Sequence, residues 1–296
     1  MSAIETKTIT MRDGRTIAYV DGGDPNGPLV LHHHGAPSSR LEGALLADGA
    51  AANRLRLVTL DRPGYGRSSP HPGWTYDDWA NDMVAVADAL GYREFGVTGW
   101  SGGGPSAYAA AAYIDPVRLR HVTSIAGAPY GAFGDDWAAK RLTMADRIGG
   151  FLAMHMKAGF RLMYESIEVA AVYFPNAYYK QLEKAGSPYD DAVLARAAVK
   201  ERFTQASVEC FAQGAEPMIY DSELAYRRWS FDVRAIRRPI HIWQGTADHF
   251  VSHDVAKLVA DQIPGAVWHP VADGGHFIAI GECERIYALA AQELNA

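Results

Sequence analysis

Cysteine is scarce in this sequence, which has two cysteines in 296 residues. Cys210 and Cys283 lie far apart in the sequence and show no metal-ligand spacing. The sequence therefore predicts neither a disulfide framework nor a cysteine metal site. A reduced, intracellular protein is the simplest interpretation, and we expect it in the cytoplasm.

Long apolar runs are also missing from the chain. No stretch approaches the roughly 18 apolar residues that a membrane-spanning helix needs. Residues 1–7 lack the charged start and apolar centre of a secretion signal. We therefore expect no membrane segment and no contact with a membrane.

Positive charge is in short supply as well. The chain has 28 Lys and Arg against 34 Asp and Glu, which gives a formal net charge of −6. Because nucleic acids and anionic membranes bind large basic surfaces, we expect neither as a partner. Hydrophobic residues make up 48% of the chain. This is enough for a substantial core in one large α/β domain with an insertion.

Strand and helix patterns alternate along most of the chain. This alternation is typical of a mostly parallel sheet covered by helices on both faces. Short apolar runs predict strands at residues 6–10, 15–19, 29–32, 56–60, 95–98, 122–125, 240–244 and 266–269. The Asp13-Gly14 turn predicts that the first two strands form an antiparallel hairpin. Helices are predicted at residues 40–52, 77–90, 104–114, 254–263 and 283–294.

A serine stands between glycines directly after the fifth predicted strand. Residues 99–103, Gly-Trp-Ser-Gly-Gly, have the spacing of a nucleophile elbow, a strand-to-helix turn that projects the serine hydroxyl into open space. The flanking glycines leave room for this strained turn. The helix that follows would aim unpaired N–H groups at charge that develops beside Ser101. Ser101 is therefore the candidate nucleophile, although the motif also occurs in glycine-rich turns that do not catalyse.

A serine hydroxyl becomes a nucleophile when a base takes its proton and a carboxylate orients that base. Asp248 lies in the loop after the seventh predicted strand, and it is the candidate acid. His276 lies in a glycine-rich loop after the eighth, and it is the candidate base. Asp273 is a rival acid, but three residues before His276 it is poorly placed to reach the ring. The order Ser101, Asp248, His276 occurs in one known class of serine hydrolases and differs from other serine triads.

These motifs together resemble the α/β-hydrolase family, and the resemblance runs from residue 6 to residue 294. It includes a His-Gly-Ala-Pro turn, residues 34–37, after the third predicted strand. In the family, a turn of this kind supplies part of the oxyanion hole. The resemblance implies that the backbone N–H groups of Ala36 and Gly102 bind the oxyanion. It also implies chemistry that requires no metal and no organic cofactor.

Residues beside the candidate catalytic groups are predicted to bind substrate. They are His34 in the oxyanion turn, Trp100 before the nucleophile and Phe277 after the histidine. The tract from His32 to His34 looks like a metal tract. However, adjacent residues on an extended segment point to opposite sides and cannot chelate one ion together. We therefore predict no metal site.

Between residues 129 and 232 the alternation gives way to several helices without strands. The α/β-hydrolase family commonly inserts a lid after the preceding strand. We therefore predict a core of residues 1–128 and 233–296 with a helical cap, or lid, of residues 129–232. The cap is rich in aromatic and methionine side chains, and we expect most to pack internally and a minority to line an apolar pocket. They are Phe133, Trp137, Met144, Phe151, Met154, Met156, Phe160, Met163, Tyr164, Tyr173, Phe174, Tyr178 and Tyr179.

The predicted function is hydrolysis of a carboxylic ester of a small, largely apolar substrate through an acyl-enzyme on Ser101. The same machinery cleaves thioesters, lactones, amides and activated carbon–carbon bonds. One alternative is a proline-iminopeptidase-like aminopeptidase or amidase. It would need cap carboxylates near the substrate amine, for which Asp135, Asp136 and Asp146 are candidates. Another is a receptor that holds a small ligand in the lidded pocket with little turnover. A homodimer is the default oligomeric state.

Overall fold

The computed structural model of the protein describes residues 5–134 and 141–296, which contain an eight-stranded sheet. The strands in chain order are β1 (Lys7–Thr10), β2 (Thr16–Gly23), β3 (Leu29–His33), β4 (Arg56–Leu60), β5 (Phe95–Trp100), β6 (Leu119–Ile125), β7 (Ile240–Gly245) and β8 (Ala266–Val271). Their order across the sheet is β1-β2-β4-β3-β5-β6-β7-β8. β2 is antiparallel to both of its neighbours, and the pairs from β4 to β8 are parallel. The predicted α/β fold with a mostly parallel sheet and an N-terminal hairpin is confirmed.

Helices cover both faces of the sheet. They are α1 (Gly43–Ala52), α2 (Tyr76–Ala89), α3 (Gly104–Tyr113), α10 (His253–Ala260), α11 (Ile278–Gly281) and α12 (Cys283–Leu294). Successive side chains of a strand point to opposite faces. Leu29 and Leu31 of β3 therefore join the core under α2 and α3, while Val30 joins the core under α1 and α12. The sheet is buried on both sides, as its apolar strands predict.

The observed strands extend beyond their predicted ends on the catalytic side of the sheet. β5 continues through Gly99 to Trp100, where Trp100 pairs with Ile125 of β6. β8 continues through Pro270 to Val271, which pairs with Gly245 of β7. Because glycine and proline are poor strand formers, the sequence pattern predicts that these strands end before Gly99 and Pro270. Pairing with a neighbouring strand holds the extra residues in the sheet.

In the described residues between β6 and β7, six α-helices form what we call the helical insertion. They are α4 (Met144–His155), α5 (Lys157–Tyr173), α6 (Pro175–Ala185), α7 (Pro188–Leu194), α8 (Ala197–Cys210) and α9 (Glu216–Tyr226). Phe160, Phe211 and Met218 pack there around Tyr65, which comes from the loop after β4. The exact limits of a cap domain at residues 129–232 stay a prediction.

None of the helices in the described parts of the chain combines the length and the apolar character that crossing a bilayer requires.

Candidate active site

Ser101 stands where β5 turns into a short 3-10 helix, Ser101–Gly103, and then into α3. Its φ of +52° lies in the left-handed region, a strained conformation for a residue with a side chain. A Cβ on Gly99 would lie 2.2 Å from the Gly103 carbonyl oxygen, and a Cβ on Gly103 would lie 2.1 Å from the His33 carbonyl oxygen. Only glycine fits at both positions, so the tight packing holds Ser101 at the tip of the turn.

The structure brings Ser101, His276 and Asp248 into one hydrogen-bonded line. His276 Nε2 lies 2.9 Å from Ser101 Oγ, and His276 Nδ1 lies 2.9 Å from Asp248 Oδ2. Because an ionised carboxylate only accepts hydrogen bonds, Nδ1 carries the proton and Nε2 is left to accept the serine proton. His276 and Asp248 are 7% and 8% exposed. This arrangement can activate the serine hydroxyl as a nucleophile.

Several groups fix the Asp248 carboxylate. Its Oδ1 accepts the backbone N–H groups of Phe250 at 2.8 Å and Val251 at 2.9 Å. Its Oδ2 accepts Nε2 of Gln244 at 2.9 Å. The rival acid Asp273 is exposed. Asp248 is thus the carboxylate that the structure brings to the histidine.

Asp190, at the start of α7, is a site residue that the sequence analysis missed. Its Oδ1 accepts the backbone N–H of Phe277 at 2.8 Å, and a Cβ on Gly275 would lie 2.2 Å from its Oδ2. The helical insertion therefore holds the histidine loop directly. The spacing Ser187-x-x-Asp190 signals a capping box at a helix start. No local signal shows that this carboxylate also reaches a residue 87 positions further along the chain.

The carboxylates around His276 decide its protonation. Burial alone would lower the pKa of His276, because it favours the neutral ring. The negative charge of Asp248 opposes the effect of burial most strongly, and the charges of Asp190 and Asp146 act in the same direction as that of Asp248. The pKa of His276 is therefore raised above its ordinary value. The surroundings therefore favour the protonated form of the ring.

The turn after β3 lies against the nucleophile turn. A Cβ on Gly102 would lie 2.9 Å from Ala36 Cβ and 3.4 Å from Ala36 N. The buried Glu42 holds this turn, since both of its carboxylate oxygens lie 3.1 Å from the backbone N of Gly35. The two residues predicted to form the oxyanion hole, Ala36 and Gly102, are therefore adjacent, and both line the cavity above Ser101.

A cavity of about 410 Å³ lies above the catalytic side chains, between the carboxyl ends of the strands and the helical insertion. Trp100 and Phe277, two of the predicted substrate-binding residues, line it. Trp100 is almost fully buried, and its indole Nε1 donates to the His276 carbonyl oxygen at 3.0 Å. Trp100 therefore also supports the histidine loop.

His34, the third predicted substrate-binding residue, lies behind the oxyanion turn. Its side chain is fully buried, its ring packs edge to face on Tyr65, and its Nδ1 donates to the Gly35 carbonyl oxygen at 2.7 Å. Burial first, and the nearby charge of Arg62 second, lower the pKa of His34 well below its ordinary value. This placement contradicts the prediction of direct substrate contact, because His34 is not among the described residues that line the cavity.

A polar cluster forms one end of the cavity. Asp146 Oδ2 accepts the hydroxyl groups of Tyr130 at 2.7 Å and Thr143 at 2.8 Å, and Asp146 Oδ1 accepts the hydroxyl of Tyr226 at 3.1 Å. The rings of Tyr130 and Tyr226 stack with centroids 5.1 Å apart. Burial raises the pKa of Asp146. All four residues line the cavity, so a half-buried carboxylate is available to a bound substrate.

The aromatic and methionine side chains of the insertion have three kinds of surroundings. Tyr164 and Tyr178 line the cavity, and Phe160 and Tyr179 are buried. Five others are exposed to solvent instead of packing inside, namely Met144, Phe151, Met156, Tyr173 and Phe174. The predictions for Trp137, Asp135 and Asp136 lie outside the described residues. The sequence pattern predicted that these side chains lie on helices. It could not show which faces of those helices pack against other helices.

Comparisons with known proteins show related sequences. A bifunctional esterase/perhydrolase from Acinetobacter calcoaceticus is 37% identical over 112 residues, which cover 37% of this chain and 41% of that protein. A non-heme chloroperoxidase from Streptomyces lividans is 32% identical over 41% of this chain and 45% of its own length. These alignments span less than half of either relative. A proline iminopeptidase from Lacticaseibacillus rhamnosus is 25% identical over 91% of this chain and 90% of its own length.

Solved structures share the fold along the whole chain. An alpha/beta hydrolase fold protein from Nakamurella multipartita has a TM-score of 0.65 and 27% identity, covering 98% of this chain and 99% of that one. An esterase from Exiguobacterium antarcticum has a TM-score of 0.71 with 16% identity over 98% of this chain and 99% of its own. The alpha/beta hydrolase family model matches residues 29–289. The chain therefore belongs to the alpha/beta hydrolase family.

Proposed function

We propose that the protein is a serine hydrolase that cleaves carboxylic esters of small, largely apolar substrates through an acyl-enzyme on Ser101. The observation that carries this proposal is the hydrogen-bonded line of Ser101, His276 and Asp248 at the base of a cavity of about 410 Å³. A reacting carbonyl group at this place would meet the nucleophile and two backbone N–H groups together.

In the acylation step, Ser101 Oγ attacks the ester carbon while its proton passes to His276 Nε2. Asp248 stabilises the resulting imidazolium. The carbonyl oxygen becomes an oxyanion, which the N–H groups of Ala36 and Gly102 bind. Two such donors contribute several kcal/mol, since losing one from a known oxyanion hole costs about 3 kcal/mol. His276 then gives its proton to the departing alcohol as the carbon–oxygen bond breaks.

In the deacylation step, His276 takes a proton from a water molecule, and the hydroxide attacks the acyl-enzyme. The same two N–H groups bind the second oxyanion. When this intermediate collapses, Ser101 recovers its proton from His276 and the carboxylic acid leaves. The histidine thus acts as base and acid in turn, for which a ring with both nitrogens engaged is suited.

The cavity walls support a small, mainly apolar substrate. They include the side chains of Leu182, Phe203, Met218, Phe250 and Phe277. Apolar side chains favour an apolar acyl or alcohol group by burying its surface. The helical insertion supplies part of this wall, and in the proposed reaction it acts as the cap that excludes bulk water.

The test is a burst-phase assay with p-nitrophenyl esters of two to eight acyl carbons, run on the wild type and on Ser101→Ala. We expect ester turnover in the wild type and a loss of about three orders of magnitude or more in Ser101→Ala. A matched control is Ser230→Ala, a change of the same type at an exposed serine, which should leave turnover unchanged. Ester turnover that persists in Ser101→Ala would overturn the proposed nucleophile.

A second candidate function, cleavage of an amide next to a free amine, is favoured by the polar cluster around Asp146. A half-buried carboxylate that lines the cavity is suited to bind a substrate ammonium group. The likeness to a proline iminopeptidase over 91% of the chain points the same way. Amino-acid p-nitroanilides distinguish the two functions. If they are cleaved while simple esters are not, and Asp146→Asn raises their KM, the amidase is the correct assignment.

A further inference from the structure

A buried arginine lies directly behind the oxyanion turn. Arg62 follows β4, and its side chain is fully buried. Its Nη1 donates to the His34 carbonyl oxygen, and its Nη2 lies 3.4 Å from the Gly35 carbonyl oxygen. The guanidinium therefore reaches two successive carbonyl groups of the turn that leads to Ala36.

The Gly35 carbonyl belongs to the same peptide group as the Ala36 N–H. In a trans peptide the C=O and N–H bonds point in opposite directions. Arg62 Nη2 and His34 Nδ1 both engage the Gly35 oxygen from behind, with His34 at 2.7 Å. The Ala36 N–H is thereby turned away from them, towards Gly102 and the nucleophile turn.

The tautomer of His34 fits this arrangement. A carbonyl oxygen can only accept, so His34 Nδ1 carries the proton that bonds to Gly35. His34 Nε2 is then an acceptor, and it faces the backbone N–H of Arg62 at 3.5 Å. The ring therefore lies between Arg62 and the oxyanion turn and connects the two.

The helical insertion supplies the charge that holds the arginine. Asp221 of α9 accepts Arg62 Nε at 2.9 Å on its Oδ2, and the same oxygen accepts the hydroxyl of Tyr65 at 2.9 Å. The ring of Tyr65 lies 4.8 Å from the guanidinium carbon. Since Asp221 is also buried, the pair is desolvated and its geometry is fixed on both sides.

We propose that Arg62 and His34 are positioning residues that orient the Ala36 N–H of the oxyanion hole, and that Asp221 holds Arg62 in place for this task. This inference rests on the proposed function, because it assigns a part in the same oxyanion hole. It gives the helical insertion a role in the chemical step in addition to its role as a wall of the cavity. Ala36 remains the residue that touches the substrate.

The test compares p-nitrophenyl butanoate with its thionoester, in which sulfur replaces the carbonyl oxygen. Sulfur accepts hydrogen bonds poorly, so the ratio of kcat/KM for the oxygen ester to that for the thionoester reports the oxyanion hole. Arg62→Lys keeps the positive charge but loses the fork that reaches two carbonyls. We expect the ratio to fall roughly tenfold in this variant, with kcat falling more than KM changes. If Arg62 had a merely structural role, kcat/KM for the oxygen ester and kcat/KM for the thionoester would fall by the same factor.

The matched control is Glu209→Gln. Glu209 lies on α8 and pairs with Arg40 at 2.6 Å, so this variant also removes an ion pair between the insertion and the core. The ion-pair partners of Glu209, Arg40 and Arg67, lie outside the oxyanion turn, so the ratio should stay at the wild-type value. Asp221→Asn should lower the ratio about threefold, because its amide still accepts from Arg62 without the charge.

Each outcome decides the inference. A folded Arg62→Lys enzyme whose ratio equals that of the wild type overturns the positioning role. Folding is judged by Tm and by titration of the active serine. If Arg62→Lys does not fold, the same ratio is measured in Asp221→Asn and His34→Gln, and wild-type values in both overturn the positioning role. Failure of the wild type to cleave the oxygen ester would overturn the proposed function itself, and the inference with it.

Discussion

At the scale of single residues, Ser101, Asp248 and His276 are held by different means. Backbone packing holds Ser101, since no side chain fits at Gly99 or Gly103. Hydrogen bonds from the backbone and from Gln244 hold Asp248. His276 is held by its partners and by the loop that Asp190 anchors. Substitutions of these residues should therefore have different consequences.

Asp248→Asn should lower kcat by about three to four orders of magnitude, because an asparagine can stabilise the wrong tautomer of His276 and does not stabilise its charge. Steady-state ester kinetics measure the loss. The matched control is Asp273→Asn, the same change at the rival carboxylate three residues before His276. It should leave kcat within about twofold of the wild type. Equal losses in the two variants would contradict the assignment of Asp248.

Asp146→Asn should shift the pH dependence of kcat/KM. In the proposed mechanism neutral His276 is the active base, so activity should be lost as the pH falls below its pKa. Asp146 is one of the carboxylates that raise this pKa, and its removal should move the acidic limb of the profile to lower pH. The measurement is a pH–rate profile with a neutral ester, with Asp77→Asn on the exposed side of α2 as the control. An unchanged limb would show that Asp146 does not influence His276.

At the scale of elements, the carboxyl ends of β3, β5, β7 and β8 bring together four loops that are far apart in the sequence. Sequence patterns predicted this collection, because ligands of open α/β sheets bind at these strand ends. They did not predict Asp190 and Asp221, which reach the site from the insertion, and they named Asp146 only as a candidate for binding a substrate amine. These contacts depend on how α4, α7 and α9 settle on the core, and amphipathic periodicity does not specify docking.

The opposite end of the sheet offers a test of how α12 is anchored. Glu293 near the end of α12 accepts His121 Nδ1 at 2.6 Å and His241 Nε2 at 2.9 Å. Burial alone would raise the pKa of Glu293, but the hydrogen bonds from His121 and His241 outweigh it and lower the pKa to about 2. The stabilisation is thus present above the ordinary pKa of about 4.5 and is lost as the pH falls towards about 2.

Glu293→Gln should therefore lower the free energy of unfolding by about 2 kcal/mol at pH 7, and by less at pH 3. Urea denaturation at the two pH values measures the difference. Glu284→Gln, on the exposed side of the same helix, should change stability by about 0.5 kcal/mol at most. A loss in Glu293→Gln that is the same at both pH values would contradict the ionic origin.

At the scale of the whole molecule, buried neutral histidines link stability to pH. His33 is fully buried against Trp79, and neither of its ring nitrogens has a hydrogen-bond partner in the described parts of the chain. Burial first, and Arg62 second, lower the pKa of His33 well below 6.5. Below about pH 6.5 the native state therefore binds fewer protons than the unfolded chain. The free energy of unfolding consequently decreases as the pH is lowered.

His33→Leu should remove part of this acid sensitivity, because the variant has no ring to protonate on unfolding. One such histidine accounts for about 2 kcal/mol between pH 7 and pH 5. The measurement is the change in unfolding free energy between these pH values for wild type and variant. His155→Gln, at an exposed histidine, should keep the wild-type pH dependence. If His33→Leu also keeps the wild-type pH dependence of the unfolding free energy, His33 is not the cause of the acid sensitivity.

The homodimer stays a prediction, because one protein chain carries no information about a second copy. The apolar side chains exposed on α4 and α5 show why composition is a weak guide at this scale. Aromatic content predicted a lined pocket, and Tyr164 and Tyr178 do line the cavity. It could not separate them from the exposed side chains, because burial depends on which helix faces meet.

Sequence patterns were enough to predict the order of strands and helices, the nucleophile turn and the order of Ser101, Asp248 and His276. These features depend on local chemistry, such as glycine where no side chain fits and apolar runs that form strands. The folded chain was needed to show that His34 lies behind the oxyanion turn and that Arg62 reaches the same peptide group. It was also needed to show that the insertion contributes Asp146, Asp190 and Asp221. Such contacts join residues far apart in the chain, and they form only when separate elements pack against each other.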